Sequence, residues 1–432
     1  MGTRRLAVGA LAVAALTLAA CSQGSATTGG GADAGGTGGS VTLKFQSLSD
    51  QPAAIAAVKD IVDSWNAAHP ETKVEIVQAG WDGVYDKLVT QFNGNAAPDV
   101  IHYEAASIVP FARDGYLADL TSKIPAELKS DVDQGVWDSV TVDGKVVGVP
   151  TELQTYVVFA NKKLIEAAGQ QVPTGSSMTY DQFEALAKAT TKSGQYGVSW
   201  GLKSPTATFM SLALASDGTY FEGTGKDAKI TVGEGEMALP KLVKKMAYDD
   251  KSIDPVSLTQ SGSQALASFY AGKAAMTVQG SYQAANMAKD APAGVDWVEL
   301  PPLAGSAGTK QAANPQTLSV NADSANVDRA AEFATYFADA ENMATLNEAD
   351  ALIPASNKAR ATILSKTGGK DGWAMTMESA KGLTGAPFLT VDAYTQWKDT
   401  IATPNYQKYL ANQIDDAGLQ QALTDGFAQV NR

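Results

Sequence analysis

Cysteine is almost absent from this chain: Cys21 is the only one in 432 residues. No disulfide can form within the chain, so a protein of this size must hold its fold by core burial alone. Histidine is nearly as scarce, with only His69 and His102. His69 precedes Pro70 at the end of a predicted helix and His102 alternates within a predicted buried strand. Neither has a partner at metal-ligand spacing, and no metal site is expected. Arginine is thin as well: past the N-terminal pair only Arg113, Arg329, Arg360 and Arg432 remain. Guanidinium forks are the favoured grip on carboxylates and phosphates, so their scarcity tilts against an anionic ligand. The formal net charge is −13 and no basic stripe is present, which argues against nucleic acid; the acidity serves solubility. No Gly-x-Ser-x-Gly elbow occurs. Gly233-Glu-Gly-Glu236 lacks the lysine and strand of a phosphate loop and reads as a helix lead-in.

Long apolar runs are missing too, except at the N-terminus, where Arg4 and Arg5 precede an apolar stretch from Leu6 to Ala20. Basic, apolar, then small residues is the order of a secretion signal, and the run is short for a membrane span. Leu18-Ala19-Ala20-Cys21 resembles a lipobox, the motif at which bacterial lipoproteins are acylated and cleaved. Residues 1–20 are then a lipoprotein signal peptide and Cys21 the lipidated residue. Loss of Arg4 and Arg5 takes the mature charge two units lower, to −15. Lipidation also removes the one thiol from catalysis. The following segment holds eight glycines between Gly24 and Gly39 amid Ser, Thr and Ala, so residues 21–40 read as a flexible tether.

The folded part begins with Val41-Thr-Leu-Lys-Phe45. Nearly 400 residues exceed what one core usually organises, so two lobes are expected. Strand-like and helix-like patterns alternate throughout without an internal repeat, the mark of an α/β protein. Ile55, Val58, Ile61, Val62 and Trp65 recur at helical spacing up to His69-Pro70. Pro98 to Tyr103 reads as a buried parallel strand with Glu104 just beyond it. Asp143-Gly144 marks a hairpin, and Thr179 a helix cap. Ala274 to Val278 is a strand followed by Gly280-Ser281-Tyr282. Asn326 to Asp339 and Glu341 to Asp350 read as consecutive helices, and the stretch from about Asp392 as mostly helical.

Four blocks carry a resemblance. The first is Asn95-Ala-Ala-Pro98-Asp99-Val100 with Phe111 to Leu120. The second is Asp143-Gly144-Lys145 through Gly148-Val149-Pro150, then Phe159-Ala160-Asn161-Lys162. The third runs from Phe269 through Gly272-Lys273-Ala274-Ala275-Met276 to Gly280-Ser281-Tyr282. The fourth is Ala330-Ala331-Glu332-Phe333 with Ile353-Pro354-Ala355. In this order they resemble the family 1 extracellular solute-binding proteins, the sugar-binding group that includes maltose-binding protein, over most of residues 41–360. The resemblance implies an α/β, two-lobed, periplasmic-binding-protein-like fold with a hinge crossed by several chain segments. By analogy residues 41–152 plus 318–356 form the N-lobe and residues 155–313 plus 360–432 the C-lobe. Pro150 and Ala312-Ala313-Asn314-Pro315 are breaks at the expected crossings.

A sugar offers flat C–H patches and a rim of hydroxyls, which suit aromatic faces and polar side chains at strand ends. The family position after the Gly-Lys-Ala-Ala-Met strand holds a stacking aromatic, here Tyr282; the bland alternative is a packing tyrosine. Tyr103 and Glu104 end the Pro98 strand, where the family places an aromatic and hydroxyl-binding groups; Tyr103 could instead face the core and Glu104 the solvent. Gln154 stands where maltose-binding protein carries a ligand carboxylate. Of its neighbours Glu152 and Tyr156, one is expected to face the cleft. Trp200 and Phe209 lie in a segment that contributes contacts in the family. Trp81 walls the cleft or staples a helix. Asp50, with Ser47, Ser49 and Gln51, reaches hydroxyls or caps a helix. Trp373 is a second stacking face or core.

No catalytic constellation emerges, and neither enzyme activity nor a cofactor is expected. The resemblance implies the substrate-binding lipoprotein of an ABC importer, which captures a neutral mono- or oligosaccharide between its lobes and passes it to permease subunits. It is expected to be a monomer, extracytoplasmic and tied to the membrane by lipid alone. A polyamine or another small solute is the alternative ligand, since Glu104, Glu152 and Tyr103 would suit one. A secreted glycoside hydrolase is the remote alternative, because paired carboxylates abound in an acidic chain.

Overall fold

The computed structural model describes residues 40–431; the signal peptide, Cys21 and nearly all of the tether lie outside the described residues. The main elements of the first half are β1 (Val41–Ser47), α1 (Pro52–Ala68), β2 (Thr72–Gln78), α2 (Val84–Asn93), β3 (Val100–Glu104), α3 (Ala105–Arg113) and β4 (Val149–Leu153). The chain then makes β5 (Tyr156–Asn161), β6 (Tyr196–Trp200), β7 (Ala274–Gly280), α4 (Gln283–Asp290) and β8 (Trp297–Glu299). It returns through β9 (Gln316–Val320), α5 (Val327–Phe337), α6 (Ala340–Asp350), β10 (Ile353–Pro354), α7 (Asn357–Thr367) and α8 (Trp373–Ser379), and ends in helical turns closed by α9 (Asp416–Val430).

Two sheets organise these elements. One has six strands in the order β10-β4-β9-β3-β1-β2, the other four in the order β8-β5-β7-β6. In the first, β1 runs parallel to β2 and β3, so Leu48 and Glu104 leave at the same edge. The antiparallel β9 enters at that edge, with Gln316 opposite both Glu104 and Glu152. In the second, Gly280 at the end of β7 lies opposite Tyr156 at the start of β5. Only Gln154 and Thr155 separate β4 in one sheet from β5 in the other, so these two edges are tied together at short range.

Local sequence explains the helices and turns. In α1, Ala54, Ala57, Val58, Ile61, Val62 and Trp65 form one buried stripe behind a proline start. The Trp65 indole N–H donates to the Thr72 carbonyl at 2.9 Å, fixing the return into β2. Asp143 (φ 50°) and Gly144 (φ 79°) form the positive-φ pair of a two-residue hairpin, as the sequence predicts. Thr179 and Gln182 form a reciprocal capping box.

Burial follows the sheets. Leu43, Phe45, Trp65, Phe333 and Phe337 centre the core of the six-stranded sheet, while Phe209, Phe221, Trp397 and Tyr406 belong to the core of the four-stranded one. The tail divides between them: Ile363, Trp373 and Met377 join the first core, and the chain joins the second only from Ala386 and Phe388 onward. The apolar faces of α7 and α8 therefore pack against the first core, unlike the analogy that gave all of 360–432 to the second lobe.

A hydrogen-bonded path links the two bodies. Glu299, on the edge strand β8, accepts from the Thr376 hydroxyl of α8 at 2.9 Å. Ser379 donates to the Thr376 carbonyl at 2.7 Å and its hydroxyl meets that of Thr155 at 2.6 Å. The Thr155 N–H donates to the Ser281 hydroxyl at 3.2 Å, and the Ser281 N–H to the Thr155 carbonyl at 2.8 Å. Burial pushes the Glu299 carboxyl up to about 8.

Two outcomes are expected. Phe333 is fully buried, with ring centroids 5.4 Å from both Phe45 and Trp65. Phe333→Ala should cost about 3–5 kcal/mol, read as a lower urea midpoint at an unchanged slope. Glu299 binds its proton more tightly folded than unfolded, so its contribution to stability is present at low pH and is lost as pH rises from about 4.5 through 8. Glu299→Gln should melt above the parent at pH 9, by the equivalent of a few kcal/mol, and the difference should shrink toward pH 5. Melting curves offset equally at both pH values would contradict that assignment.

Candidate functional site

A cleft of about 270 Å³ opens where the sheet edges meet. That is near the lower end of the ~300–1,000 Å³ typical of small-molecule sites, enough for a small ligand or one end of a longer one. Its walls bring together Asp50, Trp81, Gln154 and Tyr282 from the sequence reading, and add Gln316 and Asp350. Four other hollows are larger, about 300 Å³ beside Leu128, 410 Å³ beside Gly385, 470 Å³ beside Trp297 and 630 Å³ beside Glu234. None of them is lined by the residues where the carboxyl ends of the strands meet, the usual binding edge of open α/β sheets.

One wall is built around a buried imidazole. The Leu48 N–H donates to His102 Nδ1 at 3.1 Å, so the ring proton sits on Nε2, which donates to Gln316 Oε1 at 2.6 Å. Burial pushes His102 down to about 4, leaving it neutral at neutral pH. Gln316 is thereby oriented with its amide N–H groups left for the cleft. The Gln78 amide donates to the carbonyls of Ser47 (3.3 Å) and Ser49 (2.8 Å), holding the loop that carries Asp50. Trp81 closes this side, edge-on to His102 with ring centroids 5.9 Å apart.

The opposite wall is set by the Gly280 turn. A Cβ at Gly280 would stand 2.4 Å from the Tyr282 ring and 3.2 Å from Gln154 Oε1, so the ring lies directly over a position only glycine permits. The paired bonds between Thr155 and Ser281 fix the two neighbours, Gln154 and Tyr282, with respect to each other.

Acidic groups gather at one end. Asp350 is 7% exposed, lines the cleft and has no hydrogen bond or ion pair among the described residues. Burial, assisted by the charge of Asp50, pushes its carboxyl up to about 6. Glu152 is 1% exposed and neither of its oxygens has a hydrogen-bond partner among the described residues. Burial first, then the charge of Asp350, holds it well above the usual carboxylate range. Its nearest basic group is His102 Nε2 at 3.9 Å, already committed to Gln316.

The remaining expectations fall elsewhere. Glu104 accepts from the Ser107 hydroxyl at 2.9 Å and the Asn314 amide at 3.2 Å, close enough to Tyr156 and Tyr394 to raise both phenols beyond the effect of burial. Tyr156 also feels Tyr282, but neither Glu104 nor Tyr156 lines the cleft. Tyr103 is buried behind the wall, 6.2 Å from Trp81 between ring centroids. Trp200 and Phe209 pack edge-on at 6.1 Å inside the second core, and Phe209 meets Tyr406 at 5.3 Å. Trp373 is buried in the first core. These three rings spend their faces on packing, which replaces the expectation that they stack on ligand.

Sequence reasoning passed over Asp350. A signal was present: it is an acid at the last residue of a helix, where the negative end of the dipole disfavours an anion. Among the described residues, no three acidic, histidine or cysteine side chains converge closely enough to hold a metal ion. No described helix is long and apolar enough to cross a membrane.

Comparison with known proteins agrees with this architecture. Residues 47–344 match the family described as "Bacterial extracellular solute-binding protein". An "Uncharacterized lipoprotein in oleD 5'region" of Streptomyces antibioticus is 37% identical over 388 residues, 89% of this chain and 86% of that protein. The cyclic alpha-maltosyl-1,6-maltose binding protein of Arthrobacter globiformis has the same fold, with a TM-score of 0.79 at 18% identity over 91% of this chain and 99% of that one. The GacH receptor of Streptomyces glaucescens, solved unliganded and with acarbose, superposes with a TM-score of 0.72 at 22% identity over 90% and 98% of the two chains. This chain is a member of the bacterial extracellular solute-binding protein family, with a two-lobed α/β fold shared with maltose-binding-like sugar-binding proteins.

Proposed function

We propose that this chain captures a mono- or oligosaccharide in the cleft between its two sheets and delivers it to the permease of an ABC importer. One observation carries the reading: Trp81 and Tyr282 face the same small cleft as the side-chain amides of Gln154 and Gln316 and the carboxylates of Asp50 and Asp350. Aromatic faces suit the C–H patches of a sugar ring, and oriented amides and carboxylates suit its hydroxyl rim. Relatives of the same fold support it, since their names record binding of acarbose and of a cyclic maltose derivative.

A ligand that touches both walls favours the arrangement in which the sheet edges approach, and a permease reads that arrangement. Lipidation at Cys21, with the glycine-rich segment as a tether, would hold a monomeric receptor beside the membrane. Confinement raises its effective concentration at the permease. The same cleft without catalysis would return the ligand unaltered.

Tyr282→Ala should weaken saccharide binding at least tenfold while leaving the melting temperature of the free protein near that of the parent. Tryptophan fluorescence titration checks the affinity, since Trp81 lies in the wall. Unchanged affinity would remove Tyr282 from the site. Chromatography of the ligand after prolonged incubation should recover it intact; shortened oligosaccharide would turn the reading to a glycoside hydrolase.

A further inference from the structure

Asp350 is an acid set into the cleft wall. It is largely buried, faces the cleft and finds no partner among the described residues. An unpaired carboxylate in such a place is costly unless something that binds there supplies the partner. The chain accepts two further local costs to hold it in position. Asp350 is the last residue of α6, and Ala351 after it takes φ 61°, the left-handed region that glycine ordinarily fills. The helix end is anchored rather than frayed: the Asn347 amide donates to the Met343 carbonyl at 2.9 Å and the Thr151 carbonyl at 3.4 Å, and the Leu352 N–H donates to the Asn347 carbonyl at 3.0 Å.

Its surroundings add the negative charge of Asp50 and no positive charge. Asp50 stands in front of it at the exposed rim and Glu152 lies buried behind it, each close enough to affect or be affected by its charge. No lysine or arginine lines the cleft. His102, the basic group nearest Glu152, is neutral, with its one N–H proton already given to Gln316. Hydroxyl groups alone do not call for this arrangement, because the amides and backbone of the walls already suit them. Mutually repelling carboxyls in a desolvated cleft favour a cation. A metal ion is a poor fit, since no three acidic side chains here converge to coordination distance among the described residues. An ammonium suits better: its N–H bonds reach separate acceptors, and the faces of Trp81 and Tyr282 are also favourable to cations.

We infer that the saccharide taken by this cleft carries a protonated amine, and that Asp350, backed by Asp50, selects for it. This rests on the saccharide reading above, and it replaces the sequence-based expectation of a neutral sugar.

The test uses the purified protein and sugar pairs that differ only by amine in place of hydroxyl: glucosamine with glucose and galactosamine with galactose (one amine each), and the β-1,4-linked glucosamine disaccharide with cellobiose (two). Calorimetric titration at pH 7 should show at least tenfold tighter binding for the amine member of a pair. Asp350→Asn, close to isosteric, should abolish that preference, and Asp50→Asn at the exposed rim should reduce it severalfold. Melting curves confirm that both variants are folded. Equal affinity within every pair, unchanged in Asp350→Asn, would overturn the inference and leave the saccharide reading standing. Binding of spermidine or putrescine with no response to any sugar would overturn both.

Discussion

The His102 imidazole is the constraint on which the cleft wall depends. It sits on the central strand β3 and joins three chain segments that are remote in sequence: the Leu48 N–H after β1, its own strand, and Gln316 at the start of β9. Because Nδ1 is used as an acceptor, only one tautomer satisfies the ring, and that tautomer decides which way the Gln316 amide points. A protonated ring would carry a second N–H with no acceptor, since Nδ1 faces a donor. Burial and tautomer act in the same direction, keeping the group neutral. The wall is therefore rigid and polar but contributes no positive charge, which leaves the carboxylates beside it uncompensated.

A second constraint is the shortness of the connection between the sheets. With only Gln154 and Thr155 between β4 and β5, any change in the relative attitude of the two bodies must be absorbed in a few backbone torsions. Thr155 is held on both sides, by Ser281 and by Ser379, so the crossing also ties the Tyr282 turn to α8. Farther out, Arg113 at the end of α3 pairs with Asp392 and donates to the Thr390 carbonyl at 3.2 Å. Its guanidinium lies against Gly225, where a Cβ would stand 3.1 Å from it. Arg113 is thus a contact between the α3 side and the residues packed on the second core. The Thr155 crossing and this outer ion pair tie the two bodies at separate points.

Much of the fold was legible because it rests on local chemistry. The helical stripe of α1, the Asp143-Gly144 hairpin, the Thr179 cap and the strand carrying Tyr103 are all fixed by residue type and spacing over a few positions. Of the candidate site, the positions of Asp50, Gln154 and Tyr282 in the cleft wall were legible because each follows closely on a strand end. The site was not legible for Trp200, Phe209 and Trp373. An aromatic in a large α/β chain serves a core or a ligand with the same sequence signature, and only tertiary packing separates the two. The tail shows the same limit: the faces of α7 and α8 are apolar whichever core receives them, and the choice is made by contacts far away in sequence.

Asp350 illustrates the opposite kind of information, in which a local rule is broken. An acid ending a helix, followed by an alanine in the left-handed region, is disfavoured by the dipole and by backbone sterics together. Cooperative folds accept such conflicts where function needs a group held in an unfavourable place. A second polar atom without a partner agrees: the buried Ser49 hydroxyl lies in the wall of the same cleft that Asp350 faces. Satisfying them within the protein would have been simple, since one lysine or arginine in the wall would neutralise the group. Such a residue would also occupy the place of a cationic ligand and remove the affinity for it. The missing cation and the misplaced acid thus have one physical account, a site whose electrostatic complement arrives with what it binds.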